Sequence, residues 1–230
     1  MRKRPVGGEI RYCLFVNDTI KPFAGDGFGG NYVGGIDMMW LKGWTIADNV
    51  FIGIRGRTGG GRGAVFIWIH SEDVVVERNV FVNCDRSICF GNPSGSPVHM
   101  TRGIVRNNFI VTGVGQGIEM CRTVDTLVAH NTVVALPAHR SAVQFHQGAK
   151  GARFVNNIVR GRLRLADDVA GKDNVGGEQA GWFRNEAIGD LHLTAKAAAI
   201  GKVKRLQDAP EDFDRRKRKA ATTPGADDRP

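Results

Sequence analysis

Three features of this 230-residue sequence predict an all-β fold, a parallel β-helix solenoid with three short strands in each coil. The first is a phrase of apolar run, asparagine and apolar run. It reads Ala47-Asp48-Asn49-Val50-Phe51, Glu77-Arg78-Asn79-Val80-Phe81, Arg106-Asn107-Asn108-Phe109-Ile110, Ala129-His130-Asn131-Thr132-Val133 and Val155-Asn156-Asn157-Ile158-Val159. Its asparagines stand at 49, 79, 108, 131 and 157, hence 30, 29, 23 and 26 residues apart, and a period of that size marks a repeat architecture. The second feature is a set of runs of 4 to 7 residues, β-branched or aromatic and bounded by Gly, Asp, Ser or Asn, with no sustained helical period between them. The third is that connections vary in length while the runs do not, as happens when insertions collect on one face of a stacked array. A propeller would need four antiparallel strands over ~40 to 45 residues, more than this spacing holds.

From residue 34 each coil reads as strands A, B and C. Strand A falls at 35–40, 64–69, 87–91, 117–121 and 141–146; strand B at 44–47, 74–77, 103–106, 126–129 and 152–155; strand C follows each asparagine, first at 50–54. Residues 9–18 fit the same phrase with Cys13 in the asparagine place, so the first visible coil is a partial one. Residues 19–33 form a loop too rich in Gly and Phe for regular structure. Coils stacked at ~4.8 Å place the asparagines above one another, where each amide donates and accepts at once and tolerates left-handed backbone. About six to seven coils are expected. The C-to-A connection is long once, at the Gly-rich 55–63, and the A-to-B connection is inflated once, at 92–102. No Gly-Lys-Ser/Thr closes the 55–63 loop, so it is not a phosphate cradle. After Val159 the phrase decays through a strand at 163–165 and a last asparagine at 174, and 180–183 and 191–200 read as a closing segment with a short helix near 194–199.

Composition bounds the rest. The chain is 42% hydrophobic, with 31 glycines and 8 prolines, the balance of one globular domain with many tight turns. Its net charge of +9 is concentrated in residues 1–5 and 215–219, which argues against a nucleic-acid partner. The domain is expected at 9–200, with a disordered 1–8 and a charged, flexible tail at 201–230. Cysteines 13, 84, 89 and 121 have neither zinc nor disulfide-scaffold spacing and read as buried thiols. No apolar span is long enough for a membrane helix, and residues 1–8 lack the apolar core of a signal peptide.

The N-V-F, N-N-F-I and N-N-I-V phrases, with strands such as Gly35-Ile36-Asp37-Met38 and Gly117-Ile118-Glu119-Met120, resemble the right-handed parallel β-helix repeat proteins of the pectate-lyase-like superfamily over residues 9–200. The resemblance implies a bacterial, exported protein, extracellular or periplasmic in full-length form, of which this chain is an N-terminally truncated version. It implies a polysaccharide partner and no membrane partner, while an uncapped first coil implies self-association through that end. The superfamily holds lyases, hydrolases, epimerases and purely structural members, so the fold does not name a reaction.

In such proteins the groove lies over strand A. With Ile36, Val65, Ile118 and Val143 inward, the outward column is Asp37, Phe66, Cys89, Glu119 and Gln144, and two residues further on stand Met39, Trp68, Gly91, Cys121 and His146. Flanking loops add Arg55, Arg57, Arg62, Asp85, Arg86, His139 and Arg140. A polysaccharide lyase needs a base and a cation that stabilises the enolate, either an arginine or Ca²⁺. Arg86, Glu119 and His146 are the catalytic candidates; Asp37, Arg57, Trp68, Asp85 and Gln144 are the substrate-binding ones. No cofactor is called for beyond that optional Ca²⁺, and no metal ligands are assigned. A hydrolase needs two carboxylates within ~5 to 9.5 Å. Asp37 and Glu119, three coils and roughly 14 Å apart, do not qualify, whereas Asp85 with Glu119 stays open. The alternative is a non-enzymatic structural or glycan-binding solenoid, or an inactive fragment, with Asp37 and Glu119 as solvated strand residues and Arg86 paired to Asp85 or capping a turn.

Overall fold

Copies of each strand pair in parallel, in register, with the copy in the next coil, and the pairs assemble into three sheets. The computed structural model describes residues 4–95, 98–137, 141–146, 148–176, 180–199 and 201–228. Face A is a six-stranded sheet of Gly34–Met39, Gly63–Trp68, Ile88–Phe90, Ile118–Met120, Ser141–Phe145 and Arg162–Arg164. Face C is seven-stranded and runs from Leu14–Val16 and Val50–Ile52 to Ile158–Arg160 and Val175–Gly176. Face B is ten-stranded because the A-to-B corner adds short strands, Ser71–Glu72, Met100–Thr101 and Thr123–Val124, that the sequence did not disclose. Alternation sends Ile36, Val65, Ile88, Ile118 and Val143 inward from face A, against Ile46, Val76, Val105 and Val128 of face B and Phe51, Phe81, Ile110 and Val133 of face C. Phe15, Phe51 and Phe81 stack at 4.6 and 4.8 Å between ring centres, one per coil.

The asparagine side chains form one hydrogen-bonded column. Asn49, Asn79, Asn108, Asn131 and Asn157 each donate from Nδ2 to Oδ1 of the next asparagine, ending on Asn174, at 2.9–3.1 Å. Each Oδ1 from Asn79 to Asn174 also accepts the backbone N–H of the preceding ladder residue. Cys13 fills the first place as expected, its N–H donating to Asn49 Oδ1 at 3.0 Å. Left-handed backbone, however, belongs to the residue before each ladder member: Tyr12, Asp48, Arg78, Asn107, His130, Asn156 and Asp173 all have φ of 50–60°. The asparagine is therefore required for its amide alone, and its neighbour turns the chain.

Regular structure reaches toward both ends of the chain, with strands at Val6–Arg11, Val203–Lys204 and Ala221–Thr222. Val6–Arg11 is a strand paired with Lys42–Ala47, because that strand would otherwise leave its edge groups without partners. Gly8 permits the approach, since a Cβ there would lie 2.7 Å from the Trp44 ring. Arg4 adds an ion pair to Glu72 at 2.8 Å. The rim beyond this coil is apolar, with Val6, Tyr12, Leu14 and Val16 exposed.

Residues 180–228 do not close the last coil. They lie on the outside of the solenoid, where Phe183, Leu191, Leu193, Ala197 and Ala226 cover the outward face-C residues Phe109, Val111, Val134 and Ile158. Residues 195–199 form the expected short helix, of 3-10 type. The run 215–219, expected to be solvated, follows the left-handed column as a brace. Arg215 pairs with Asp48 at 2.9 Å and donates to Tyr12 Oη, while Phe213 stacks on Phe109 at 4.0 Å. Arg218 is 1% exposed and donates to Glu211, Thr223, Gly225 and Ala226 carbonyls, Thr222 Oγ1 and Asn107 Oδ1. Burial pushes its pKa down to about 10, so it stays charged at neutral pH. A guanidinium is buried only when its donors are matched, and here backbone carbonyls supply the match.

Two outcomes follow from these contacts. Replacing Asn108 by Leu takes the side-chain partner from Val76 O, the Asn79 N–H and Asn79 Nδ2 inside the wall, so chemical unfolding should register a loss of about 3 kcal/mol. The fully buried His130 accepts from Asn156 Nδ2 at 3.0 Å; burial, then the Arg218 charge, push its pKa down to about 3 from 6.5. Below pH 6.5 the unfolded chain gains a proton that the folded one refuses, so stability falls as pH drops toward 3, by up to about 1.4 kcal/mol per unit. His99, also lowered, acts in the same direction and His192, raised, in the opposite one, so the difference in urea midpoint between wild type and His130→Asn across pH 6.5 to 4.5 isolates the term.

Candidate functional site

The outward column of face A has the register read from the alternation: Asp37 pairs with Phe66, Phe66 with Cys89, Cys89 with Glu119, Glu119 with Gln144 and Gln144 with Arg164. Asp37 and Glu119 are thus three coils apart. The two halves of this column have different surroundings.

The N-terminal half is roofed by the 19–33 loop. Arg62 sets its guanidinium 4.9, 5.6 and 4.8 Å from the Phe28, Tyr32 and Phe66 ring centres, and Phe66, though outward, is buried. Asp37 accepts from Tyr32 Oη at 2.8 Å and Trp68 Nε1 at 3.0 Å. Trp68 stacks on Phe66 and on His99 of the 92–102 insertion at 5.1 and 5.9 Å, so its ring is packed into the wall more than it is offered to a sugar. Arg57 donates to the Gly29 carbonyl and fastens the roof. Asp85 is fully buried, with Oδ2 accepting the Gly56 and Gly61 N–H groups at 2.7 and 2.9 Å. The glycine-rich loop is thereby wrapped around an anion of its own protein, and Asp85 is neither a partner of Arg86 nor a second carboxylate for Glu119. His139 and Arg140 lie outside the described residues.

The C-terminal half brings the three catalytic candidates together, with His146 and Arg86 partly exposed among the described residues. Glu119 Oε1 is 2.8 Å from His146 Nε2, and Oε2 is 3.2 Å from Arg86 Nε and 3.7 Å from Cys89 Sγ. Arg86 Nε is also 3.3 Å from Gln116 Oε1, whose Nε2 donates to Gln144 Oε1 at 3.2 Å. Burial pushes the Glu119 carboxyl up, but the His146 hydrogen bond and the Arg86 charge outweigh it and hold the group below its ordinary pKa. Burial and the Glu119 charge push the Cys89 thiol well up, and Cys121, beside His146, rises to about 11 for the same reasons. Neither thiol is a nucleophile at neutral pH.

Side-chain exposures of 6% for Glu119, 27% for His146 and 32% for Arg86 separate the roles. Glu119 cannot itself reach a ligand. As an ionised group it only accepts, so His146 Nε2 carries the proton the two share, and Nδ1 is the ring nitrogen turned away from Glu119. Glu119 thus orients an accessible imidazole base, the arrangement in which a third group fixes the base.

His146 also lines a chamber of about 810 Å³ at the A-to-B corner, together with Pro93, Val98, Cys121, Arg122, Val124, Gly148 and Lys150. Arg122 and Lys150 escaped the sequence reading because they lie beyond strand A, in a bend and in an isolated bridge to Val124; the signal available was that they follow the second column, one residue after Cys121 and four after His146. Among the described residues one trio of acidic groups is close enough to share a cation, Asp212, Asp214 and Asp227. Arg216 already bridges all three at 2.9, 2.9 and 2.6 Å, and they belong to the brace.

No family model, curated protein or solved structure matches this chain significantly. What the fold and site define is a class: an all-β chain of stacked parallel sheets, carrying an oriented histidine in a groove.

The assignment of Asp85 to loop anchoring has its own check. Asp85→Ala should lower stability by about 2 kcal/mol, from the loss of two hydrogen bonds to a charged group, and should speed tryptic cleavage after Arg55, Arg57 or Arg62.

Proposed function

We propose that this chain is a right-handed parallel β-helix of the pectate-lyase-like superfamily, of about six to seven coils, that binds acidic polysaccharide along the open half of face A and cleaves it by β-elimination. The observation that supports this best is the buried Glu119 gripping an accessible His146. In this reading His146 takes the proton from the carbon beside the uronate carboxyl. The electron pair forms the new carbon–carbon double bond, and the bond to the glycosidic oxygen breaks, that oxygen taking a proton from water while His146 returns its own to solvent. Glu119 acts through His146, as a positioning residue. Arg86, which meets both Glu119 and Gln116, holds the carboxylate in place, with part of its surface left to meet substrate. Gln144 extends the groove by one coil.

A second reading is supported by the same bonds. Cys89, Glu119, Arg86, Gln116 and Gln144 form a hydrogen-bonded chain across successive coils, and such a chain would also brace the wall of a solenoid that binds glycan without cleaving it.

Turnover separates the two. Pectate, alginate and glycosaminoglycans, with and without Ca²⁺, should be followed at the absorbance of the unsaturated product. The lyase reading expects signal from at least one polymer, a fall of ~10²- to 10⁴-fold in kcat for His146→Ala, and a smaller fall in kcat at unchanged KM for Glu119→Gln, which keeps size and loses charge. Silence from every polymer, with retention of the protein in a polyuronate affinity gel, would favour the binding solenoid.

A further inference from the structure

The corner chamber differs from the groove in what lines it. Two of its residues, Arg122 and Lys150, are cationic; none is acidic. Lys150 is anchored by its backbone, with its N–H on the Thr123 carbonyl at 2.8 Å and its own carbonyl accepting from Asp125 N–H at 2.9 Å. Its exposed ammonium makes no ion pair among the described residues, whereas Lys21, Lys42 and Lys172 each meet a carboxylate. Arg122 is held by the 92–102 insertion, with Nε and Nη2 on the Pro93 carbonyl at 3.3 and 3.1 Å, which leaves Nη1 for another acceptor. Pro93, Val98 and Val124 add apolar surface of the kind that packs on the carbon–hydrogen faces of a sugar ring. A volume of about 810 Å³ is within the ~300–1,000 Å³ typical of small-ligand sites.

We propose that this chamber is a subsite for one uronate unit, with Lys150 and Arg122 binding its carboxylate. The proposal rests on the elimination reading only for its catalytic consequence. Arg86 is already engaged with Glu119 and Gln116, so the cation that neutralises the substrate carboxylate is supplied from the chamber and not from the groove wall. His146 lies at the meeting of the two, bonded to Glu119 on one side and lining the chamber on the other. A carboxylate held in the chamber thereby brings the carbon next to it to the base.

The test measures binding apart from cleavage. D-galacturonate and D-galactose are titrated into the full chain by calorimetry, at low and high salt, with wild type, Lys150→Gln and the control Lys172→Gln. Galacturonate should bind and galactose should not. Binding should weaken with salt, and Lys150→Gln should weaken it by ~10-fold or more while the control leaves it unchanged. Equal affinity for the two sugars, or for wild type and Lys150→Gln with its far-ultraviolet spectrum intact, overturns the subsite. Lys150-dependent binding with no polymer cleaved keeps the subsite and removes the lyase reading. Cleavage that needs His146 but is indifferent to Lys150→Gln does the reverse.

Discussion

Everything in this wall depends on a side-chain amide that can donate and accept in the same direction. At the B-to-C corner the strand ladder is interrupted by a left-handed residue, and backbone groups there would be buried without partners, at about 1–3 kcal/mol each. The asparagine repairs the gap from inside: its Oδ1 takes the N–H of the neighbouring ladder residue, and its Nδ2 reaches the next Oδ1 and nearby carbonyls. Serine lacks the reach and aspartate lacks the donor. The same bonds fix the rotation of each coil about the axis, and so decide which residues of face A stand above one another.

For that reason the outward column was legible in the sequence: once the asparagines are aligned, Asp37, Phe66, Cys89, Glu119 and Gln144 can be counted off without coordinates. The brace was not, because Arg218 is satisfied mainly by carbonyl oxygens, which carry no residue identity, and the partners of Arg215 and Arg216 are set by folding rather than spacing. The roles within the site were only half legible. Alternation says that Glu119 and His146 face away from the core, and position says that Asp85 flanks them in a loop, but neither says that a glycine loop closes over Asp85 or that Glu119 is sealed by its neighbours. Outward is a property of the strand; exposed is a property of what lies on it.

Face A illustrates the difference along its length. Where the 19–33 loop lies on it, aromatic rings and Arg62 make a closed lid, and polar groups such as Asp37 are matched within the protein. Toward the other end a buried carboxylate grips an imidazole and a guanidinium that both reach the surface, beside a chamber lined by Pro93 and Val98 of the 92–102 insertion and by Lys150. The insertions thus choose which part of a uniform wall is available to a ligand.

The external brace also makes the solenoid unequal along its axis. Coils through Asn107, Thr132 and Asn156 are tied to residues 204–226 by hydrogen bonds, and face C beneath them is covered by a second apolar layer. The first coil is held by its neighbour, by Arg4 and by Arg215, and Val6, Leu14 and Val16 on its rim are exposed. In a one-dimensional stack, where each repeat is stabilised by those it touches, fluctuations begin at the end with fewest contacts and stop where contacts multiply. Amide exchange should accordingly be slowest in the coils tied to residues 204–226, and the Glu119 cluster lies among them.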